Sequence, residues 1–473
     1  MESFEHMGYW WLPGEPNEPI SEIPDRAIPG KLSFDPATGG LLELLGNLDT
    51  ADTYGMNVWK KFEIIQGFVS GSEKCVTLQS CYVTSISRRD TFSETKLVVD
   101  FIFTGYRYWF DSVADIVFEN MSAKYTYLDN WMFQNNFDID VRRTDYKRVI
   151  DYSISYTSPE PIEIMLDNAK IELWPAYASS SSVTEVLLKN EYRFTITPQE
   201  PLHFNEYLKY INVHLPNFLT LATGHTNFPL NLSGLISQDR GGMSIFYQVL
   251  GYADKARWIS PWPMLFTFGD LKEDLPRYLV NWIRKSEKMK ATYDLYFEAQ
   301  YSKMLALDIE FLILAQSLEA YHRNVHGGEY LSKEEYEPIK TALINAIPNC
   351  VETSHKAALM SRIEYGYQYS LQTRLKGLCS EVLVEQKDDV EKLLGNPKDF
   401  IRRLVETRNY FTHRDGLPNE ATLNDDELFD YSRKMRVLLQ ICFLREMGFP
   451  PNEITRLLNA NQEYQHLTKE KSA

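Results

Sequence analysis

The sequence predicts an α+β protein: a β-rich, antiparallel, sandwich-like first part followed by an all-α helical bundle. Three observations carry this. Short segments rich in Val, Ile, Thr, Tyr and Phe, separated by turn residues, fill the first part. A helical period then takes over through the rest of the chain. The length of 473 residues, 44% of them hydrophobic, is enough for more than one buried core. The expected division is residues 1–295 and 296–473.

Taken in order, "GKLSFDPATGGLLELLG" offers two short apolar runs about a Gly/Pro turn. "FEIIQGFVSG", "KCVTLQSCYVTSISR", "KLVVDFIFTGYRYWF" and "DYSISY" follow at short intervals, and "IEIMLDNAKIELWPAY" and "YRFTITPQEPLHF" extend the pattern. The change to helix falls near "LPRYLVNWIRKSEKMKATYDLYFEAQYSKM". "MLALDIEFLILAQSLEAYHR" is apolar on nearly every side, as a buried helix is. "SHKAALMSRIEYGYQYSLQTRLKGLCSEV" reads as a second long helix. "NPKDFIRRLVETRNYF" opens with Asn396 as N-cap and Pro397 at the first helical position. "NDDELFDYSRKMRVLLQICFLREMG" starts with an acidic turn and stops at Gly448, and "PPNEITRLLNANQEYQHL" is the last helix.

Composition excludes several classes. The formal net charge of −16 does not attract nucleic acid as a whole, so such contact needs a local basic patch. No apolar run reaches a membrane-spanning length, and the first residues carry no basic start followed by an apolar region. Five cysteines with no CxxC pair fit reduced thiols in a cytoplasmic protein. Cys350, His355, Cys379 and Cys442 match no common zinc spacing. There is no phosphate-cradling Gly loop, GxSxG or HExxH. No metal or other cofactor is expected.

One helix attracts chemical interest. On a wheel of about 100° per residue, Phe400, Ile401, Leu404, Val405 and Phe411 form one stripe, with Arg402, Arg403, Glu406 and Tyr410 opposite. Arg408 lands within the apolar stripe. Arginine keeps its proton, so burial there calls for an acid, a bound anion or an interface cleft. Asn409 and His413 are four residues apart and share a face. Residues 396–415 hold five cations against three acids, and Arg433, Lys434 and Arg436 follow on the next helix. Such local positive charge is what an RNA phosphate requires. The plainer alternative is a helix-end histidine and an arginine paired with a buried acid.

Arg408, Asn409 and His413 resemble the Arg-x(4–6)-His motif, with a polar residue after the arginine, of the HEPN superfamily of helical bundles. "FLILAQSLEAYHR" followed late by "RNYFTH" is similar to the Apea-like HEPN group. "GYWWLPGEPNEP" through "IPGKLSFDPATGGLLELLG" is similar to the N-terminal domain of ApeA-type anti-phage defence proteins. The likeness spans the chain, and its ends and RNYFTH are the specific parts. It implies a metal-independent endoribonuclease whose site forms between two HEPN domains, in a homodimer or higher even oligomer. The RNA, by family analogy transfer RNA, would be cut after a phage-derived trigger, causing abortive infection.

In that reading His413 moves protons, Arg408 holds the phosphate and Asn409 orients either. Glu319, Tyr410, Arg403 and Arg414 are possible supporting positions, a local pair with Arg323 being the plainer reading of Glu319. The rival readings are a non-catalytic HEPN module for RNA binding or dimerisation, and a ligand-sensing regulator. "DVRRTDYKRV" and the aromatic stretches "GYWWLPG" and "GYRYWF" suit either binding or plain structure.

Overall fold

The computed structural model describes residues 1–14, 23–48, 60–70, 74–89, 92–106, 108–237, 241–249, 251–252, 258–302, 304–413 and 420–469. The chain divides into two compact units, Met1–Val280 and Asn281–Ala473.

The first unit is built on strands β1 (Phe4–Trp11), β2 (Ile28–Asp35), β3 (Gly39–Leu44), β4 (Lys61–Val69), β5 (Lys74–Arg89) and β6 (Phe92–Gly105). They pair antiparallel in the order β6-β3-β2-β1-β4-β5, and β5 returns to pair with β6. The ring closes into a barrel instead of splitting into two sandwich layers. Length is the reason. Along one edge of β6, Thr95–Val99 pair with β3, while Phe101–Thr104 pair with a further strand. The opposite edge is left for β5, which bends at Ser80 (φ 55°) and at a register shift between Val83 and Ser85.

Beyond β6 the sheet continues. The intervening elements are β7 (Val117–Phe118), β8 (Asn120–Tyr125), α1 (Leu128–Met132), β9 (Phe137–Arg143), β10 (Val149–Tyr156), β11 (Ile162–Met165), β12 (Ala169–Ser181), β13 (Val186–Pro198) and β14 (Leu202–His203). α2 (Phe204–Lys209) and α3 (Leu215–Thr223) flank a π-helical turn, before β15 (Pro229–Ser237) and β16 (Gly241–Tyr247). β16, β15, β8, β13, β12 and β11 extend the sheet in that order from β6. Every residue of α3 is buried, which a reading of the first part as strands alone overlooks. The unit ends with α4 (Phe268–Leu271), and α5 (Leu275–Ser286) runs across the boundary.

The aromatic stretches are partly core, with Tyr9 and Tyr106 left exposed. Trp10, Trp11 and Phe110 are buried. Trp11 Nε1 donates to Gln66 Oε1 (2.9 Å), and Gln66 Nε2 donates to the Phe110 carbonyl (3.2 Å) and Asp111 Oδ1 (2.7 Å). A buried amide so paired repays its desolvation. The Trp10 ring needs Gly67, where a Cβ would lie 2.2 Å from it. "DVRRTDYKRV" forms the exposed hairpin β9–β10, in which Arg142 pairs with Asp151.

The second unit holds α6 (Lys290–Tyr301), α7 (Leu307–Tyr321), α8 (Lys333–Asn345), α9 (Thr353–Glu364), α10 (Leu371–Gly377), α11 (Lys387–Leu394), α12 (Pro397–His413), α13 (Asp425–Met447), α14 (Pro451–Ala460) and α15 (Gln462–Thr468). Residues 295 and 296 lie within α6. The single long helix expected from residue 354 is instead broken. α9 stops at Glu364, and Gln368 bridges back to Glu329 before α10 starts at an N-cap from Ser370. The aromatic run Tyr365–Tyr369 with Gly366 suits an extended crossing better than a helix. α13 follows its signals: Asn424 caps it through Glu427 N–H, and it ends at Gly448 with φ 93°. α7 and α13 pack centrally, with the rings of Trp282, Tyr293, Phe297 and Phe443 meeting in one cluster.

Two outcomes test this fold. Gly67→Ala is expected to cost about 1–3 kcal/mol in urea denaturation, since the Trp10 ring must move; Gly242→Ala, with ordinary clearance, serves as the near-neutral control. Burial lowers the His214 pKa from 6.5 to about 4, with nearby Lys209 adding to the effect. The fold therefore favours the neutral ring. Its contribution is intact above pH 6.5 and is lost as pH falls from there towards 4. The melting temperature of His214→Phe should fall less steeply than that of wild type across that window.

Candidate active site

Asn396 Oδ1 accepts from the backbone N–H of Lys398 (3.1 Å) and Asp399 (3.3 Å), so α12 starts as its sequence signals require. Its apolar stripe is inward: Phe400, Ile401 and Leu404 are buried, and Val405 is half-buried. Thr407 lies on the same inner side and is fully buried, a position the hydropathy pattern gave no reason to single out. Its Oγ1 accepts from the Leu423 N–H at 3.0 Å, tying the segment before α13 back to α12.

α12 is fastened at two heights. Near its start the Phe400 ring stacks on Tyr431 of α13 at 4.4 Å. Arg403 forms a fork with Glu427, at 2.7 and 2.8 Å, and lies over the Tyr431 ring. Near its end Phe411 meets Phe311 of α7, ring centroids 6.3 Å apart.

The charged neighbours are mostly paired. Arg402 pairs with Asp399, Arg433 with Glu463, Lys434 with Asp430 and Arg436 with Glu310. The basic cluster expected on α13 is thus a set of ion pairs, not a free cationic patch. Among the described residues, Arg408 is the arginine of α12 without a carboxylate partner. Half-buried, it donates through Nη1 to the exposed Asn409 Oδ1 at 3.3 Å, and its own carbonyl accepts from Thr412 Oγ1 at 2.7 Å. A guanidinium offers five N–H donors in a rigid fork, and Asn409 occupies one.

Arg408, Asn409 and His413 thus lie on the last turns of one helix, with Arg408 and Asn409 in contact. The helix reaches His413, but that side chain lies outside the described residues, as does Arg414. Tyr410 is half-buried with its ring beside Phe411 at 5.4 Å. Arg403 is taken up by Glu427. Glu319 pairs with Arg323, one turn on along α7. Phe311, the α7 residue beside the end of α12, precedes Glu319 by about 12 Å of helix rise.

A second polar cluster was not legible beforehand. α7 runs on as a π-helical turn, His322–His326, and the buried Arg374 of α10 donates to the carbonyls of Gly327 (2.6 Å) and Gly328 (3.2 Å). Burial, helped by the Arg374 charge, lowers the pKa of His322; burial and Arg445 do the same for His326. Tyr321 donates to Glu446 Oε1 (3.0 Å), whose other oxygen takes Lys285 Nζ (2.8 Å). Burial raises the Glu446 pKa, but these partners outweigh it and leave it lowered. The pair of histidines four residues apart is the one sequence signal for this cluster. Among the described residues, no group of three His, Cys, Asp or Glu side chains is placed to hold a metal ion. Nor, among the described residues, is any helix long and apolar enough to cross a membrane.

Two family models match the chain: ApeA N-terminal domain 1 over residues 5–282 and Apea-like HEPN over residues 312–453. No curated protein and no solved structure matches it.

The Thr407 anchor predicts a purely structural effect. Thr407→Val leaves the Leu423 N–H unpaired and should lower stability by about 1–3 kcal/mol in urea denaturation. Thr407→Ser keeps the acceptor and should recover most of the loss.

Proposed function

From the premise that the chain belongs to the ApeA-type HEPN proteins, an anti-phage family, we propose that it is a metal-independent endoribonuclease. Arg408, Asn409 and His413 would be its catalytic residues. The observation that carries this is the state of Arg408: half-buried on an inward-facing helix, held by one neutral amide, with no described carboxylate to neutralise it. A charge so placed is stabilised by an arriving anion, and an RNA phosphate is such an anion.

RNA supplies its own nucleophile. The 2′-oxygen attacks the adjacent phosphorus, its proton passes to a base, and the 5′-oxygen leaves with a proton from an acid. His413 is suited to either transfer because imidazole titrates near neutrality. Arg408 neutralises charge on the pentacoordinate phosphate, and Asn409 directs Arg408 through the hydrogen bond already present. The products are a 2′,3′-cyclic phosphate and a 5′-hydroxyl, and no water is consumed. DNA lacks the nucleophile and is inert by this route.

Two copies would bring two such sets to one cleft, in a homodimer or higher even oligomer. The β-barrel unit would sense a phage-derived trigger or restrain the nuclease in the cytoplasm. Cleavage of host RNA, transfer RNA by family analogy, would end infection abortively. A second reading, a ligand-sensing regulator, is favoured by a recess of about 630 Å³ in the first unit, lined by Met132, Phe133, Ile162, Phe268 and Lys272 among others. Phe133 and Lys272 hold positive φ there (43° and 41°), a strain that often accompanies function.

The test is cleavage of total bacterial RNA in EDTA by wild type, Arg408→Ala and His413→Ala, each confirmed as folded. Wild type alone should cut, leaving cyclic-phosphate ends, with each variant slowed by about 10²-fold or more. Equal cleavage by all three would remove this triad from the mechanism. If no variant cuts, protection of cells against phage by the same three proteins separates a silent nuclease from a binding module.

A further inference from the structure

We infer that the outer end of the β9–β10 hairpin is a docking surface for single-stranded RNA, built from residues other than those of α12. The inference deepens the proposed function: that reading supplies the identity of the polymer, and the hairpin supplies a second place to hold it.

The hairpin is held at its base. The Phe137 and Tyr156 rings meet at 5.4 Å, Tyr156 meets Tyr177 of β12 at 5.8 Å, and the Tyr156 hydroxyl donates to Asn190 Oδ1 of β13 at 3.0 Å. From Asp138 to Ser155 no residue is buried. Side chains opposite each other in the ladder share a face, and the faces alternate along each strand. One face carries Ile139 with Ile154, Val141 with Tyr152, and then Arg143. The acids Asp138, Asp140 and Asp151 lie on the other, where Arg142 takes Asp151. Residues 142–148 hold four cations and one acid, Asp145. Among the described residues, Arg143, Lys147 and Arg148 have no carboxylate partner. At the turn the Thr144 carbonyl accepts from the Lys147 N–H at 2.8 Å, and the Thr144 N–H donates to the Arg148 carbonyl at 2.9 Å. This closure puts Lys147 at φ 60°, in the left-handed region where glycine is the unstrained residue. The turn thus carries a lysine at a conformational cost, next to Tyr146, which is 95% exposed.

Charge complementarity identifies the occupant. On a chain of net charge −16, three unpaired cations around one turn attract a polyanion. The rings say which polyanion. A single strand of RNA offers phosphates to cations and unstacked base faces to aromatic side chains. Tyr152, 55% exposed, shares its face with Arg143, and Tyr146 stands between Arg143 and Lys147 in the chain. A duplex hides its base faces, and a membrane surface offers phosphates without bases to stack. With Asp138, Asp140 and Asp151 on the opposite face, the face of Tyr152 and Arg143 is free of their carboxylates, which would repel a phosphate.

The test is fluorescence anisotropy of a labelled oligouridine with 2′-O-methyl sugars, titrated with the full chain. That strand keeps phosphates and bases but lacks the nucleophile, so binding is read independently of cleavage. Arg143→Ala/Arg148→Ala should weaken binding about tenfold or more and flatten the plot of log affinity against log salt by about 1.4, two phosphates at ~0.7 each. Tyr146→Ala/Tyr152→Ala should weaken binding with the salt slope unchanged. Lys147→Gly should weaken binding while holding or raising the melting temperature, since glycine relieves the turn, and that combination is not a folding defect. Unchanged affinity in the arginine variant overturns the proposal, as does a wild type that leaves the strand unbound. Unchanged RNA affinity with lost protection against phage overturns it in favour of an acidic protein partner. Hairpin-dependent binding, with equal cleavage of RNA by wild type, Arg408→Ala and His413→Ala, upholds the hairpin and overturns the α12 site alone, so the two failures are distinguishable.

Discussion

The arrangement around α12 depends on a charge that cannot be discharged. A guanidinium keeps its proton at any physiological pH, and partly burying it is unfavourable unless polar or negative groups meet it. The chain has 65 acidic residues against 49 basic ones, so carboxylates are not scarce. They are committed elsewhere: Asp399 to Arg402, Glu427 to Arg403, Glu463 to Arg433 and Glu310 to Arg436. Those pairs join or brace helices and leave Arg408 with an amide. Among the described residues, the ion pairs that brace the bundle thus leave Arg408 without a carboxylate partner.

Packing makes that opening durable. Phe400 on Tyr431 and Phe311 on Phe411 fix α12 near both ends, and buried Thr407 ties back the chain that follows. A helix free to roll would turn Arg408 to water and lose the desolvation that makes an anion favourable. The neighbouring network of Tyr321, Glu446, Lys285 and Arg374 steadies α7 and the turn after it. Glu319, engaged with Arg323, belongs to that structural set.

The barrel obeys a different constraint. A long β6 serves β3 and β16 along one edge and β5 along the other, so closure and extension of one sheet share a strand. Closure removes edges that would otherwise invite strand addition. The interior is set by Trp10 against Gly67, and by Gln66, whose amide joins Trp11 to the Phe110 segment.

The sequence by itself determined what local chemistry controls. A Gly/Pro turn marked β2–β3, and runs of Val, Ile, Thr, Tyr and Phe between turns marked β4 and β5. Asn396 and Asn424 set helix starts and Gly448 a stop, because a cap is satisfied within a few residues. The oddity of Arg408 on an apolar stripe was likewise visible on a wheel. Tertiary structure decided what depends on distant partners. Barrel closure rests on strands 5 and 6 finding a second edge, and the break at Tyr365–Tyr369 rests on a bridge to Glu329. The apparent basic cluster of Arg433 and Arg436 dissolved into ion pairs with Glu463 and Glu310, 30 and 126 residues away in sequence. Charge counted along a chain cannot say which cations are already neutralised, since Coulomb attraction acts through space, and only folding brings those carboxylates near.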